Sequence, residues 1–190
     1  DPPEVADQLW SGWSGRTAWD VGGHLGESLP QLIELFEQVE SFEPSTESFA
    51  VMCLDWVDNP RVRLHRVALS DHDGVVNASV REVCIQSGQL TAMDMPYQDF
   101  TPGVSSPQKD GLPWGREIGT RAVLCRSIDS LIQTLGIPDF LKVDTEGSEL
   151  KILQGAKKLL SFGVADWLIE FHTQENYKAC IEILEDAGYK

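Results

Sequence analysis

The stretch AWDVGGHLGES, residues 18–28, places a glycine-rich turn directly after a short apolar run. The segment TAWDV (17–21) predicts a strand. The segment ESLPQLIELFEQ (27–38) predicts a helix, because apolar residues recur there at helical spacing, namely Leu29, Leu32, Ile33 and Phe36. Between the two predicted elements, Asp20 precedes Gly22, Gly23 and Gly26. A strand, a glycine-rich turn and a helix in this order are typical of a place where a ligand approaches the backbone closely.

The rest of the chain repeats this alternation of strand and helix. Further strands are predicted at 39–43, 62–70, 75–80, 121–127, 139–144 and 165–172, and further helices at 45–57, 127–136, 147–163 and 174–188. Such alternation favours an α/β fold with a doubly wound, mostly parallel sheet and helices on both faces. The sequence ends in GYK (188–190), where another strand would follow. We therefore expect the sheet to lack its terminal edge strands.

The length of 190 residues predicts one domain over residues 1–190. Within it, residues 81–120 differ in kind, because they are rich in proline and glycine and have little periodicity. A loop of this length in a compact domain is usually functional. We interpret 81–120 as an irregular insertion or an acceptor-side loop.

Charge and composition exclude several classes of partner. The net charge is −15, and no basic cluster is longer than Lys157-Lys158, so we expect no nucleic-acid binding. No apolar run approaches 18 residues, so we expect no membrane span. The four cysteines form no C-x-x-C pair. This pattern favours a reducing compartment, and we predict a cytoplasmic protein.

The residues around the glycine turn indicate the kind of ligand. A dinucleotide fingerprint requires glycine at position 21, where this chain has Val21. Asp20 disfavours a pyrophosphate and suits a cationic amine. Glu43 follows Gly23 by 20 residues, the spacing at which a carboxylate accepts hydrogen bonds from both hydroxyls of a ribose. S-adenosylmethionine has both an amine and a ribose, and NAD fits these residues less well.

Six blocks along the chain resemble the FkbM family of S-adenosylmethionine-dependent methyltransferases. In order they are DVGGHLGES (20–28), FEPS (42–45), ALSDHDG (68–74), RSIDSL (126–131), LKVDTEGSELKILQGAKKLL (141–160) and LIEFH (168–172). The resemblance covers about residues 17–190, and KVDTEGSELKILQGA is its most specific part. It implies the Rossmann-like class I methyltransferase fold and O-methylation of a hydroxyl on a small molecule or a sugar.

The resemblance also implies a set of donor-binding residues, in which the loop after the third strand lines the adenine. We expect the S-adenosylmethionine site to include Asp20, Gly22, Gly23, Gly26, Glu43, Pro44, Ser45, Ala68, Leu69, Ser70, Asp71, Asp144 and Glu146.

Methyl transfer to an alcohol requires removal of the hydroxyl proton. We predict that His172, or Asp144 with Glu170, is the base, because an unperturbed imidazole accepts a proton at neutral pH. Glu170 and His172 lie two residues apart on a predicted strand and would share one face. Asp144, Glu146 and Glu170 offer oxygen ligands that suit Mg²⁺. Their placement at a helix start has a simpler explanation, so we predict no metal.

Two other functions remain open at the level of the sequence. An NAD-dependent oxidoreductase uses a similar sheet, although Val21 and Asp20 disfavour it. A non-catalytic interaction module of the same fold is the other alternative, although the glycine turn and Glu43 are intact.

Overall fold

The computed structural model of the chain describes residue 10, residues 12–81 and residues 117–190. The strands in these ranges are β1 (Gly15–Val21), β2 (Phe36–Phe42), β3 (Val62–His65), β4 (Ala68–Leu69), β5 (Gly74–Arg81), β6 (Glu117–Arg126), β7 (Phe140–Val143) and β8 (Asp166–Ile169). The helices are α1 (Leu29–Leu35), α2 (Thr46–Trp56), α3 (Ile128–Leu135), α4 (Glu149–Gln154), α5 (Lys157–Phe162) and α6 (Gln174–Asp186).

Five of the strands form one parallel sheet in the order β3-β2-β1-β7-β8. The strand order reverses between β1 and β7, and a parallel α/β sheet binds its ligands at such a switch point, outside the carboxyl ends of the strands. A smaller sheet has the order β4-β6-β5, with β5 antiparallel to β6. The predicted mostly parallel α/β sheet is confirmed.

Buried side chains cover both faces of the large sheet. Consecutive residues of a strand point to opposite faces, so Ala18 packs with Leu29, Leu32 and Met52 of α1 and α2. Trp19 packs on the other face, together with residues of α3 to α6 that include Ile128, Ile152, Leu159 and Cys180. Burial of each such large side chain stabilises the fold by about 1.5–3 kcal/mol. Asp20 shares the face of Ala18 and is also fully buried.

Two predicted elements have different bounds in the structure. The helix predicted at 27–38 ends at Leu35, and Phe36 opens β2 because it pairs with Gly15 of β1. Phe36 is buried, as its apolar spacing predicts, but from a strand rather than from a helix. The strand predicted at 62–70 is split into β3 and β4, which belong to different sheets.

The helix predicted at 147–163 is broken into α4 and α5 at Gly155. A side chain at Gly155 would overlap the carbonyl oxygen of Ser70, so this turn is packed directly against the loop after β4. Asp129 caps the new helix start, because its carboxylate accepts the N–H groups of Lys158 and Leu159. These contacts come from distant parts of the chain, and the helical periodicity of the segment does not reveal them.

Two further predictions differ at their edges. The strand predicted at 165–172 ends at Ile169, so Glu170 and His172 follow the strand rather than lie on it. The irregular segment predicted at 81–120 begins and ends within β5 and β6, and residues 82–116 lie outside the described residues. Within the described ranges, no helix has the length and apolar character needed to cross a membrane.

Candidate functional site

A cleft of about 360 Å³ opens at the carboxyl edge of the large sheet, where β1, β2 and β7 end. Nine of the predicted site residues line it, namely Gly22, Gly23, Glu43, Pro44, Ala68, Leu69, Asp144, Glu146 and Glu170. The cleft therefore gathers residues from five separate blocks of the sequence. Its position is the one at which a doubly wound sheet binds ligands.

The glycine turn after β1 forms one wall of the cleft. The N–H groups of Gly22 and Gly23 both donate to the carbonyl of Phe42 at 3.0 Å, which fixes the turn against β2. Gly22 has a φ of +85°, and a Cβ there would overlap the backbone oxygen of Asp144. Only glycine fits this position, because the turn passes directly over the end of β7.

Glu43 lies across the cleft from that end of β7 and ties two loops together. Its Oε2 accepts the N–H of His24 at 2.9 Å, and its Oε1 accepts the N–H of Ser45 at 2.6 Å. The side chain is only 7% exposed. Burial raises the pKa of Glu43 to about 7, against the opposing effect of these two hydrogen bonds. Each carboxylate oxygen keeps a second lone pair that can accept a hydrogen bond.

Asp20 does not line the cleft. It is fully buried beneath the glycine turn, where its Oδ2 accepts the hydroxyl of Ser41 at 2.9 Å. Its Oδ1 lies 3.5 Å from the Nζ of Lys142, and the same Nζ lies 3.4 Å from Asp144. Burial disfavours the ammonium form of Lys142, but Asp20 and Asp144 outweigh this effect and raise its pKa. Asp20 thus pairs with a lysine beneath the cleft, and its contact with a ligand amine stays a prediction.

Lys142 itself was not predicted, although it lines the cleft. In the sequence, Lys142 is marked only by its position as a charged residue between the apolar residues Leu141 and Val143 of a buried strand. In the parallel register of β1 and β7, Lys142 is the partner of Asp20. Sequence spacing alone does not reveal this pairing, because the two residues are 122 positions apart.

His172 lies among four carboxylates. Its Nε2 is 3.3 Å from Glu146, 3.7 Å from Asp144 and 3.8 Å from Glu170, and its Nδ1 is 3.3 Å from Glu149. Hydrogen bonds to Glu146 and Glu149 raise the pKa of His172 to about 10, against the opposing effect of burial. The ring is therefore a cation at neutral pH in this arrangement. This charge disagrees with the predicted role of His172 as a base, because an imidazolium has no free lone pair.

Glu149 is the buried anchor behind His172. Its carboxylate accepts the N–H of Gly147 at 2.9 Å and the side-chain amide of Asn176 at 2.8 Å. Burial alone would raise its pKa, but the hydrogen bonds from His172 and Gly147 outweigh burial and lower it. Glu149 therefore accepts a backbone N–H beside the start of its own helix and also fixes the imidazole of His172.

Several predicted donor-binding residues lie away from the cleft lining. Gly26 packs against Trp56, where a Cβ would lie 2.8 Å from the indole nitrogen. The hydroxyl of Ser45 caps α2 by accepting the N–H of Ser48. Ser70 donates its hydroxyl to Asp71, which in turn pairs with His72 at 2.6 Å. These four residues therefore shape or terminate elements beside the cleft. Of the predicted adenine-binding residues 68–71, Ala68 and Leu69, which form β4, line the cleft.

Two residues of the cleft have a strained backbone, and neither was predicted to be strained. His24 has a φ of 47° and Glu146 has a φ of 55°. Both angles lie in the left-handed region of the backbone, which residues other than glycine rarely adopt. His24 follows Gly23 in the turn, and its ring pairs with Glu27 at 2.9 Å. Strain of this kind concentrates at functional sites.

Solved structures with the same fold are methyltransferases and a decarboxylase. The FkbM methyltransferase from Methylobacillus flagellatus KT has a TM-score of 0.56 and 21% identity, over 90% of this chain and 37% of that chain. The precorrin-6y C5,15-methyltransferase from Geobacter metallireducens GS-15 has a TM-score of 0.52 and 11% identity, over 98% and 70%. The precorrin 8w decarboxylase from Methanobacterium thermoautotrophicum has a TM-score of 0.52 and 13% identity, over the same shares. These likenesses establish the fold.

The chain spans little more than a third of the length of the first of these structures. No curated protein matches the chain. Residues 20–190 match the family described as the Methyltransferase FkbM domain, from Asp20 at the end of β1 to the last residue. The match includes the glycine turn, Glu43 and the segment from Lys142 to Glu170, all of which contribute residues to the cleft. The chain belongs to the FkbM methyltransferase family.

Proposed function

We propose that the cleft binds S-adenosylmethionine and that the protein transfers its methyl group to a hydroxyl of a small molecule or a sugar. The observation that carries the proposal is the pairing of a glycine turn with a buried carboxylate, Glu43, which accepts a backbone N–H of the same turn and lines one cleft with it at the switch point of the sheet. In a family of methyltransferases, these are the features that a nucleoside-bearing donor needs.

In this proposal the donor lies along the edge of the sheet. Its ribose hydroxyls donate to Glu43, and its adenine packs on Ala68 and Leu69, which are apolar and line the same cleft. Its methionyl end lies at the turn of Gly22 and Gly23. Since Asp20 is neutralised by Lys142, we propose the carboxylates at the cleft surface, Asp144 and Glu146, as partners for the positive charge of the donor.

The reaction is a displacement at carbon. The acceptor oxygen forms a bond to the methyl carbon while the bond from that carbon to sulfur breaks, and S-adenosylhomocysteine leaves with the electron pair of the broken bond. The hydroxyl proton passes to a carboxylate, for which we propose Asp144 with Glu170, both of which line the cleft. His172, as a cation, positions these two carboxylates and is no longer proposed as the base.

The acceptor and the location in the cell are also proposals. The acceptor side of the cleft is bounded by Glu146 and Glu170, which suits a hydrogen-bonding group such as a hydroxyl. Among the described residues, Cys53, Cys125 and Cys180 form no disulfide, which accords with the cytoplasmic location that we propose.

Calorimetric titration with S-adenosylhomocysteine and, separately, with NAD tests the proposal. We expect micromolar binding of the adenosyl ligand and no binding of NAD. Radiolabelled methyl transfer from S-adenosylmethionine to a panel of sugars and phenols then tests the acceptor class. Binding of NAD alone would reverse the assignment, and binding of neither ligand would favour a non-catalytic module.

A further inference from the structure

We propose that Asp144, Glu170 and the Nε2 atom of His172 form a binding site for a divalent cation of the Mn²⁺ or Mg²⁺ type at the acceptor side of the cleft. This inference deepens the proposed function and rests on it for the role of the ion. It replaces the expectation from the sequence that no metal binds.

The three side chains converge from the ends of two neighbouring strands. One ligand atom from each lies within 4.8 Å of the other two. The distances from His172 Nε2 to Asp144 and to Glu170 are 3.7 Å and 3.8 Å. Atoms at these separations need only small side-chain rotations to reach metal–ligand bonds of about 2.0–2.2 Å. Because a protonated imidazole has no free lone pair, the ion takes the place of the Nε2 proton of His172 when it binds. Two carboxylates and one neutral imidazole then leave further coordination positions open to water or to the acceptor.

The imidazole is held in the way that metal-binding histidines are held. Its Nδ1 faces the fully buried carboxylate of Glu149 at 3.3 Å, so Nε2 is the nitrogen that faces the carboxylates lining the cleft. A carboxylate behind a histidine fixes the ring and its tautomer and is a usual partner of metal-ligating histidines. Glu149 is itself fixed by Gly147 and Asn176. This arrangement is independent of the two acidic ligands and distinguishes the site from a simple acidic cluster.

Charge and an unused polar group also favour a cation. Five carboxylates (Asp20, Asp144, Glu146, Glu149 and Glu170) face only Lys142 and His172 in the contacts described above. Ser148 lines the same cleft, is 3% exposed, and its hydroxyl has no hydrogen-bond partner among the described residues. It is available to a water molecule in the coordination shell of the ion.

The ion supplies what the carboxylates lack. A carboxylate is a far weaker base than an alkoxide, so Asp144 and Glu170 alone deprotonate an alcohol poorly. A divalent cation bound to the acceptor oxygen stabilises the oxygen as it loses its proton and orients it toward the methyl group. In this case the proton passes to solvent, while Asp144 and Glu170 hold the ion.

Titration of the whole chain with Mn²⁺, followed by the electron paramagnetic resonance signal of free Mn²⁺, tests the proposal. We expect one ion per chain with a dissociation constant below about 100 µM and competition by Mg²⁺. Glu170→Gln and His172→Asn should each weaken Mn²⁺ binding by about tenfold or more. Glu170 is a safe variant for folding, because its side chain is 58% exposed. The matched control is Glu175→Gln, which removes one charge from the exposed first turn of α6 and should change binding by less than about twofold.

Binding of Mn²⁺ and binding of the adenosyl ligand are measured separately, so the metal site and the donor site are tested independently. Wild-type protein that binds S-adenosylhomocysteine but no Mn²⁺ at 1 mM overturns the metal site alone. An affinity of Glu170→Gln for Mn²⁺ equal to that of wild type does the same. Protein that binds Mn²⁺ in the manner expected but no adenosyl ligand supports the metal site and overturns its proposed role in methyl transfer.

Discussion

The ionisation of Glu43 should make donor binding depend on pH near neutrality. In the free protein the pKa of Glu43 is raised to about 7 by burial, so about a tenth of the molecules have the carboxylate at pH 6 and about nine tenths at pH 8. The carboxylate accepts from both ribose hydroxyls, whereas the protonated acid has lost one acceptor. The dissociation constant for S-adenosylhomocysteine should therefore fall about tenfold from pH 6 to pH 8, which is about 1.4 kcal/mol.

Calorimetric titration at pH 6, 7 and 8 at constant ionic strength measures this change. Glu43→Gln keeps the size of the side chain but cannot ionise, so its affinity should be lower than that of wild type at pH 8 and nearly independent of pH. His24 and Asp20 are the titratable neighbours that act on Glu43. His24→Gln should keep a pH dependence and move it to higher pH, because the backbone N–H that Glu43 accepts remains, while the imidazole charge that lowers the pKa of Glu43 is lost.

Two results would contradict the assignment of this pH dependence to Glu43. One is a wild-type dissociation constant that stays within about twofold over the whole range. The other is an equal pH dependence in wild type and Glu43→Gln, which would move the titrating group away from Glu43.

Three further predictions concern the elements that build the cleft. Gly22→Ala should destabilise the fold by more than about 2 kcal/mol and abolish donor binding, since its Cβ overlaps the backbone oxygen of Asp144. Gly136→Ala is the control, because Gly136 also has a positive φ but a Cβ there meets nothing within 4 Å, and this variant should keep donor binding. Chemical denaturation measures the stability of both variants, and calorimetry measures their donor binding. Lys142→Met should cost about 3 kcal/mol or more at pH 7 because buried Asp20 loses its ion pair, and adding Asp20→Asn should restore part of that loss; additive losses in urea denaturation would exclude the pairing. Asp129→Ala removes the cap of α5 and should lower the free energy of unfolding by about 1–2 kcal/mol with unchanged affinity for S-adenosylhomocysteine, and a weakened affinity would contradict this purely structural role.

The glycine turn and Glu43 are predictable from the sequence because their signals are local. A turn at Gly22 and Gly23 follows directly from a strand, and the spacing to Glu43 follows from one turn, one helix and one strand. The position of both in one cleft at the carboxyl edge then follows from the parallel order of the sheet.

The electrostatic state of the site is not predictable in the same way. The pairing of Asp20 with Lys142 depends on the register of two strands that are far apart in the sequence. The charge of His172, which follows β8, depends on Glu146 in the loop after β7 and on Glu149 at the start of α4. An imidazole with an ordinary pKa is the natural assumption from sequence, and only the packing of these three segments reverses it.

The break between α4 and α5 has a similar origin. Residues 147–163 have continuous helical periodicity, but the close approach of Gly155 to Ser70 interrupts the helix. Helical propensity is a weak local preference, and a tertiary contact overrides it here.

We propose that the cleft lined by the glycine turn and Glu43 holds the adenosyl donor. A crystal structure of the protein with S-adenosylhomocysteine would show where the donor binds. We expect both ribose hydroxyls within about 3.2 Å of the Glu43 carboxylate and the sulfur facing Asp144 and Glu170. An adenosyl group bound elsewhere, or a ribose turned away from Glu43, would contradict this placement of the donor.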